Sequence, residues 1–197
     1  MAKFYAVRKG KRPGIYHTWP EAQKQVAGFS GAEYKSFPTK QAAEAFMTGG
    51  TATSVAKIPA GFIEIYVDGS FNADKKKYGS GWVAVKDQQA LEKHAFAGSD
   101  PRFVNSYQIA GEVFACLDAI IWAKENGYPG VVISYDYEGI AKWAQKDWQA
   151  NSAIAKDYVE KYQHIAQGIQ VVFNKVKAHT GVDFNEMADQ LAKGSVK

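Results

Sequence analysis

The 197-residue chain has a single cysteine, Cys116, so no internal disulfide can form and a zinc site built on several cysteines is excluded. It also lacks any apolar run long enough to cross a bilayer, and its opening, MAKFYAVRKGKR, has no apolar signal-peptide core. A cytoplasmic chain without a membrane partner is the simplest expectation. No internal repeat is found. What is present is ordinary for a folded protein: 46% of residues are hydrophobic and 22% charged, over a length that suits one domain and something smaller.

Charge is unevenly placed. Residues 1–57 carry 9 Lys and Arg against 3 Asp and Glu, whereas residues 58–197 carry 15 against 17. The basic part is small and N-terminal, as expected of a segment that meets a polyanion. Between the parts, TGGTATSVAKIPAG (48–61) is small, polar and without periodicity, and reads as a linker.

Before the linker, residues 1–47 read as a small ββαβα unit. Two short strands flank a Gly/Pro turn in KFYAVRKGKRPGIYHTW, and TWPE has the form of a capping box opening a helix through Val26. A strand over AEYKSF and a helix begun by Thr39 follow. After it, residues 62–197 give strands at 62–68, 79–86 and 89–97, then a helix from Ser106 to Asn126 stopped by Gly127 and Pro129. VVISYD reads as a short buried strand, with helical stretches over 137–147 and 151–167. IQVVFNKVKAH is another strand, and a last helix runs from Asp183 to Lys193. Antiparallel strands followed by alternating helices and strands give an α/β class: a mixed sheet covered by helices.

Four carboxylates stand where this pattern wants apolar side chains. Asp68 ends the half-buried strand FIEIYVD, and Asp136 ends VVISYD. Glu112 shares its helix face with Ile109, Val113, Cys116, Leu117, Ile120 and Ile121. Asp189 lies among Met187, Ala188, Leu191 and Ala192, four residues beyond Asn185. Each has an ordinary explanation taken singly: Asp68 opens a turn, Asp136 caps a helix, Asp189 is a solvated helical acid. Together they suggest a cluster. Close carboxylates repel and raise one another's pKa unless cations neutralise them. Hard divalent ions with oxygen ligands are the natural cations, Mg²⁺ first. Two of them about 4 Å apart activate water and stabilise the leaving oxygen of a phosphodiester.

In this light YVDGS, QIAGEVFACLDAI, ISYDYEGIAKW and VKAHTGVDFNEMADQLA resemble, in order, the four active-site blocks of ribonuclease H. The last is the most specific, joining V-K-x-H-x-G to N-E-x-x-D-x-L-A. The resemblance implies that family's five-stranded mixed sheet flanked by helices. It also implies hydrolysis of the RNA strand of an RNA–DNA hybrid, leaving 5′-phosphate and 3′-hydroxyl ends. It makes Asp68, Glu112, Asp136 and Asp189 the metal ligands, holding two Mg²⁺ ions, with Mn²⁺ as an alternative. It makes His179 the loop histidine that moves protons or releases product, and it places Gln108 and Asn185 near nucleic acid.

The first 47 residues resemble the hybrid-binding domain that precedes some of these enzymes. FYAVRKGKRPGIYHTW and AEYKSFPT carry the match. It implies that Trp19 and Tyr34 pack against DNA sugars, with Tyr5 and Lys35 at the same surface. Arg8, Lys9, Lys11 and Arg12 could attract phosphates. The partner implied is an RNA–DNA hybrid, and no protein partner is implied. Departures are visible: Ser36 replaces a lysine that often follows Lys35, and FNADKKKYGSG replaces a Gly/Asn/Pro-rich turn. Gln108 stands for an asparagine and Tyr137 for a serine. The span from Asp136 to His179 is too short for the basic helical handle of some bacterial members. The alternative reading is a non-catalytic protein that binds RNA–DNA hybrids or double-stranded RNA.

Overall fold

The computed structural model describes residues 4–37, 40–47, 58–176 and 183–197. It separates into two compact units, Met1–Val55 and Ala56–Lys197. Most of the expected linker, 48–57, and the expected helix start at Thr39 lie outside the described residues.

The first unit is the ββαβα arrangement expected. Strands β1 (Phe4–Lys9), β2 (Gly14–Tyr16) and β3 (Glu33–Phe37) form an antiparallel sheet in the order β2-β1-β3, with helices α1 (Trp19–Val26) and α2 (Lys40–Met47). The TWPE signal works as a capping device. The Glu21 carboxylate accepts from the Thr18 backbone N–H at 3.2 Å and from its hydroxyl at 2.8 Å, fixing the first turn of α1. The core is small: Ala6, Phe37 and Ala43 are buried together, with Phe4, Ile15 and Phe46 against them.

The second unit is a five-stranded mixed sheet between helices. It contains β4 (Ile63–Asn72), β5 (Lys77–Lys86), β6 (Gln89–Gly98), β7 (Gly130–Tyr135) and β8 (Gln170–Lys175), in the order β6-β5-β4-β7-β8. The pairs β4–β5 and β5–β6 are antiparallel, while β4–β7 and β7–β8 are parallel. The helices are α3 (Gln108–Glu125), α4 (Gly139–Ala144), α5 (Ala153–Ile165) and α6 (Asp183–Ser195). Ile63, Ile65 and Val67 face the main core with α3, and Tyr66 faces a second core containing Ala188 of α6. The central strand is therefore covered on both faces. Ile63 to Val67 are all buried, where alternation in the sequence suggested a half-buried strand.

Helix α3 touches the sheet through small residues. Ala110, Gly111, Ala115, Ala119 and Ala123 are buried beside Val113, Cys116 and Ile120. Val113, Cys116, Leu117 and Ile120 of the expected face are buried, and Ile121 is the departure, 37% exposed. At the start of α3 the contact is backbone on backbone. A Cβ on Gly69 of β4 would strike the Gln108 carbonyl and the Glu112 nitrogen, and one on Gly111 would strike the Gly79 carbonyl. The buried Ser80 hydroxyl donates to the Gly111 carbonyl at 2.7 Å, closing the same junction.

Backbone atoms cannot swing aside as a flexible side chain can. Gly111→Ala is therefore expected to lower the unfolding free energy by at least ~2 kcal/mol. At Gly194 of α6 an added Cβ meets nothing within 4 Å. Gly194→Ala should be neutral or stabilising by up to ~1 kcal/mol. Urea denaturation of the two variants checks both.

Candidate active site

β4 and β7 are parallel neighbours, with Tyr66 opposite Ser134, so Asp68 and Asp136 emerge side by side where the strands leave the core. The close approach of α3 to Gly69 brings Glu112 to the same place. One carboxylate oxygen from each of Asp68, Glu112 and Asp136 lies within 4.8 Å of the others. Glu112 is 3% exposed. Its Oε1 accepts from the backbone N–H groups of Asp136 and Tyr137, each at 3.2 Å. Asp68 Oδ1 accepts from the Gly69 N–H at 2.7 Å.

These donors orient the carboxylates without neutralising them. Burial, followed by the charge of Asp136, pushes Asp68 up to about 7. Burial, then Asp136 and Asp68, raises Glu112 well above the usual carboxylate range. Asp189 stands outside the three-acid group. It pairs with Lys193 one turn on at 2.6 Å, yet lies near enough to raise Asp68 further by its charge. Asn185, one turn before Asp189, is buried, and its Oδ1 has no hydrogen-bond partner among the described residues. Gln108 is exposed as the first residue of α3. His179 lies outside the described residues.

The donor set fits a hard divalent cation. It is all carboxylate oxygen, preformed, and held at separations that repel without one.

In the first unit the aromatic residues meet. Trp19 lies between Tyr5 and Tyr34, with ring centroids at 5.8 and 5.6 Å, and is 38% exposed while Tyr34 is 48% exposed. Trp19 is thus a surface ring and not a core anchor. Strand alternation places Lys35 on the face opposite Tyr34, its ammonium 5.9 Å from the Phe37 ring. Arg8 and Lys9 both pair with Glu33, Arg8 at 2.6 Å, which offsets part of their charge.

Comparison with known families agrees with this geometry. The family model described as RNase H matches residues 61–197, and one described as the ribonuclease H1 N-terminal domain matches residues 3–47. The chain belongs to the ribonuclease H family. Among its relatives is the ribonuclease H of Schizosaccharomyces pombe, 29% identical, with 96% of each chain covered. Ribonuclease H1 of Mus musculus is 22% identical over all of this chain and 90% of its own. The fold is shared with RNase H1 of the halophilic archaeon Halobacterium salinarum, at 20% identity and a TM-score of 0.59, covering 69% of this chain and 98% of that one. It is shared also with LC11-RNase H1, solved in complex with an RNA/DNA hybrid, at 17% identity and a TM-score of 0.56, covering 68% and 99%.

Sequence reading missed one group in this ribonuclease H. Glu64, on the same strand face as Asp68, is buried, and its Oε1 accepts from the Ser134 hydroxyl at 2.6 Å. The Asn174 amide donates to that hydroxyl at 2.9 Å. Burial, then the charge of Glu64, raises Tyr66 far above its usual range. The signal was available, because Glu64 interrupts the apolar run four residues before Asp68.

The raised Asp68 fixes a pH dependence. A carboxyl titrating near 7 when folded and near 3.8 when unfolded binds its proton more tightly in the folded state. Asp68 alone should therefore cost the metal-free protein on the order of 4 kcal/mol as pH rises from about 4 to 7, and the raised Glu112 adds to the loss. Asp68→Asn or saturating Mg²⁺ should flatten that slope. Denaturation midpoints between pH 4 and 8, with and without EDTA, measure it.

Proposed function

We propose that this ribonuclease H is an endonuclease that hydrolyses the RNA strand of RNA–DNA hybrids, leaving 5′-phosphate and 3′-hydroxyl ends. The observation that carries the reading is the convergence of Asp68, Glu112 and Asp136 within 4.8 Å in a chain of this family. The hybrid bound to LC11-RNase H1 supports the substrate.

In this reading Asp68, Glu112 and Asp136 hold two Mg²⁺ ions, with Asp189 completing the set. When bound, such ions activate water and stabilise the departing oxygen of a phosphodiester. The chain itself supplies orientation. The Gly69, Asp136 and Tyr137 N–H groups fix the carboxylates before substrate arrives, so little reorganisation remains. Lys193 sets the direction of Asp189. His179 handles protons or product release. Gln108 contacts the RNA strand in this reading, which its exposure one turn before Glu112 supports. Capture falls to the first unit, where the exposed rings of Trp19 and Tyr34 lie against sugars and the net positive charge of residues 1–57 attracts phosphates.

Asp68→Asn should fold normally and lose at least ~100-fold in cleavage of a labelled hybrid in Mg²⁺. Near-native turnover by the folded variant would remove Asp68 from the site. Trp19→Ala should raise KM about tenfold, the value of one lost stacking platform, with kcat nearly unchanged. Steady-state kinetics on a hybrid of defined length separates the two effects. A chain that binds hybrid equally in Mg²⁺ and EDTA and never cuts it would be a binding protein instead.

A further inference from the structure

The β4–β5 hairpin carries chemistry that the proposed cleavage leaves unused. β4 continues four residues beyond Asp68, roughly 13 Å at 3.3 Å per residue. The turn Ala73–Lys76 then leads into Lys77, the first residue of β5. Lys75, Lys76 and Lys77 are all exposed, and no ion pair involving them is found among the described residues. One acid, Asp74, shares the tip, leaving it net positive on a unit whose sequence is net negative.

The tip is held in place. Asn72 Oδ1 accepts from the Lys75 N–H at 3.0 Å, and its amide donates to the Val196 carbonyl at 3.0 Å, tying the turn to the end of α6. The lysine stems therefore start from a fixed backbone, which lowers the entropy lost when their ammonium groups meet a ligand.

Beside the hairpin stands a second anomaly. Tyr107 has φ +52° and ψ −133°, a conformation that suits glycine and strains a bulky residue. It is also 55% exposed, so burial does not compensate for the strain. Its ring meets Phe71 of β4 edge to face, with centroids 5.1 Å apart. Next in sequence comes Gln108 at the start of α3, whose fifth residue is Glu112. Strain retained at an exposed aromatic next to an acidic group points to a ligand contact.

We infer that the lysine tip and the Tyr107 ring form a ledge beside the three acids that takes the sugar–phosphate backbone of the hybrid. This rests on the proposed hybrid cleavage and adds a second holding point, within the catalytic unit itself. The lysines meet phosphates and the ring lies against a sugar or base. Acids at the site repel a polyanion, and a positive tip about 13 to 20 Å further along the hairpin opposes that repulsion over half a duplex turn.

The full chain is tested on a hybrid between 50 and 200 mM salt at fixed Mg²⁺. Lys75→Ala/Lys76→Ala/Lys77→Ala should raise KM about tenfold and make the slope of log KM against log salt shallower by about 2. The control removes Lys86, at the opposite end of β5 from the tip, and should change neither. Tyr107→Gly should raise KM about tenfold without lowering the melting temperature, because glycine accepts the backbone. An unchanged KM and slope in the triple-lysine variant, an equal change in the control, or a native KM in Tyr107→Gly would overturn the ledge. Hybrid affinity by fluorescence anisotropy in EDTA reads the same contacts without cleavage. A wild-type chain that binds but never cuts thus overturns the proposed function, while the anisotropy series still decides the ledge.

Discussion

The close approach of α3 to the β4–β5 pair, made through Gly69 and Gly111, is the constraint on which the site depends. With a Cβ at either position the helix would have to retreat, and Glu112, one residue after Gly111, would retreat with it. The glycine contact thus sets how near Glu112 comes to Asp68, and the Ser80 bond to the Gly111 carbonyl holds that depth. Packing and site geometry are here the same interaction. Its electrostatic consequence is unfavourable, since three carboxylates are pressed together and the two most enclosed have raised pKa values. The rest of the fold must supply the stability that this junction withholds until cations arrive.

Glu64 and Asp68 show how environment separates two chemically similar groups on one strand face. Glu64 faces the Ser134 hydroxyl, itself supported by Asn174, and its lone pairs are met by neutral donors. Asp68 has one backbone donor, and the charges of Asp136 and Asp189 act on it more strongly than that of Lys193 offsets. The first arrangement ties β4, β7 and β8 together beneath the site. The second leaves charge uncompensated at the point where the strands open to solvent, which is where a cation can reach it. Position along the strand, more than residue type, divides structure from chemistry.

Much of this was legible in the sequence for local reasons. Strand and helix positions follow periodicity, capping and stop signals, and the TWPE box forms as read. Asp68, Glu112 and Asp136 were legible as candidates because each acid breaks an apolar pattern, while their convergence rested on the family resemblance until the fold placed them together. What escaped reading depends on partners distant in sequence. Burial of both faces of β4 requires α3 and α6 together, and periodicity within one strand does not report a second cover. Lys35 is a different kind of miss: as the neighbour of Tyr34 in one strand it must face the other way, which alternation alone could have told. Ile121 is exposed although Val113, Cys116, Leu117 and Ile120 are buried with the alanines of α3, because it lies just past the edge of that face. The strained backbone of Tyr107 has no sequence signature, since nothing in SYQIAGE demands a positive φ.

Charge placement gives the two units different relations to a polyanion. Residues 1–57 are net positive and residues 58–197 slightly negative, with the negative charge focused where Asp68, Glu112 and Asp136 meet. Before cations bind, a phosphate approaching those acids meets repulsion in a partly buried setting, where screening by salt is weak. The proposed stacking of sugars on the Trp19 and Tyr34 rings would carry no such dependence, because it needs no metal. In the proposed reading, capture is therefore available at all times, while engagement of the scissile phosphate waits on the cations. Divalent ions held there would offset the charge of the acids, so in that reading phosphate binding at the site and the chemistry there would depend on the same ions.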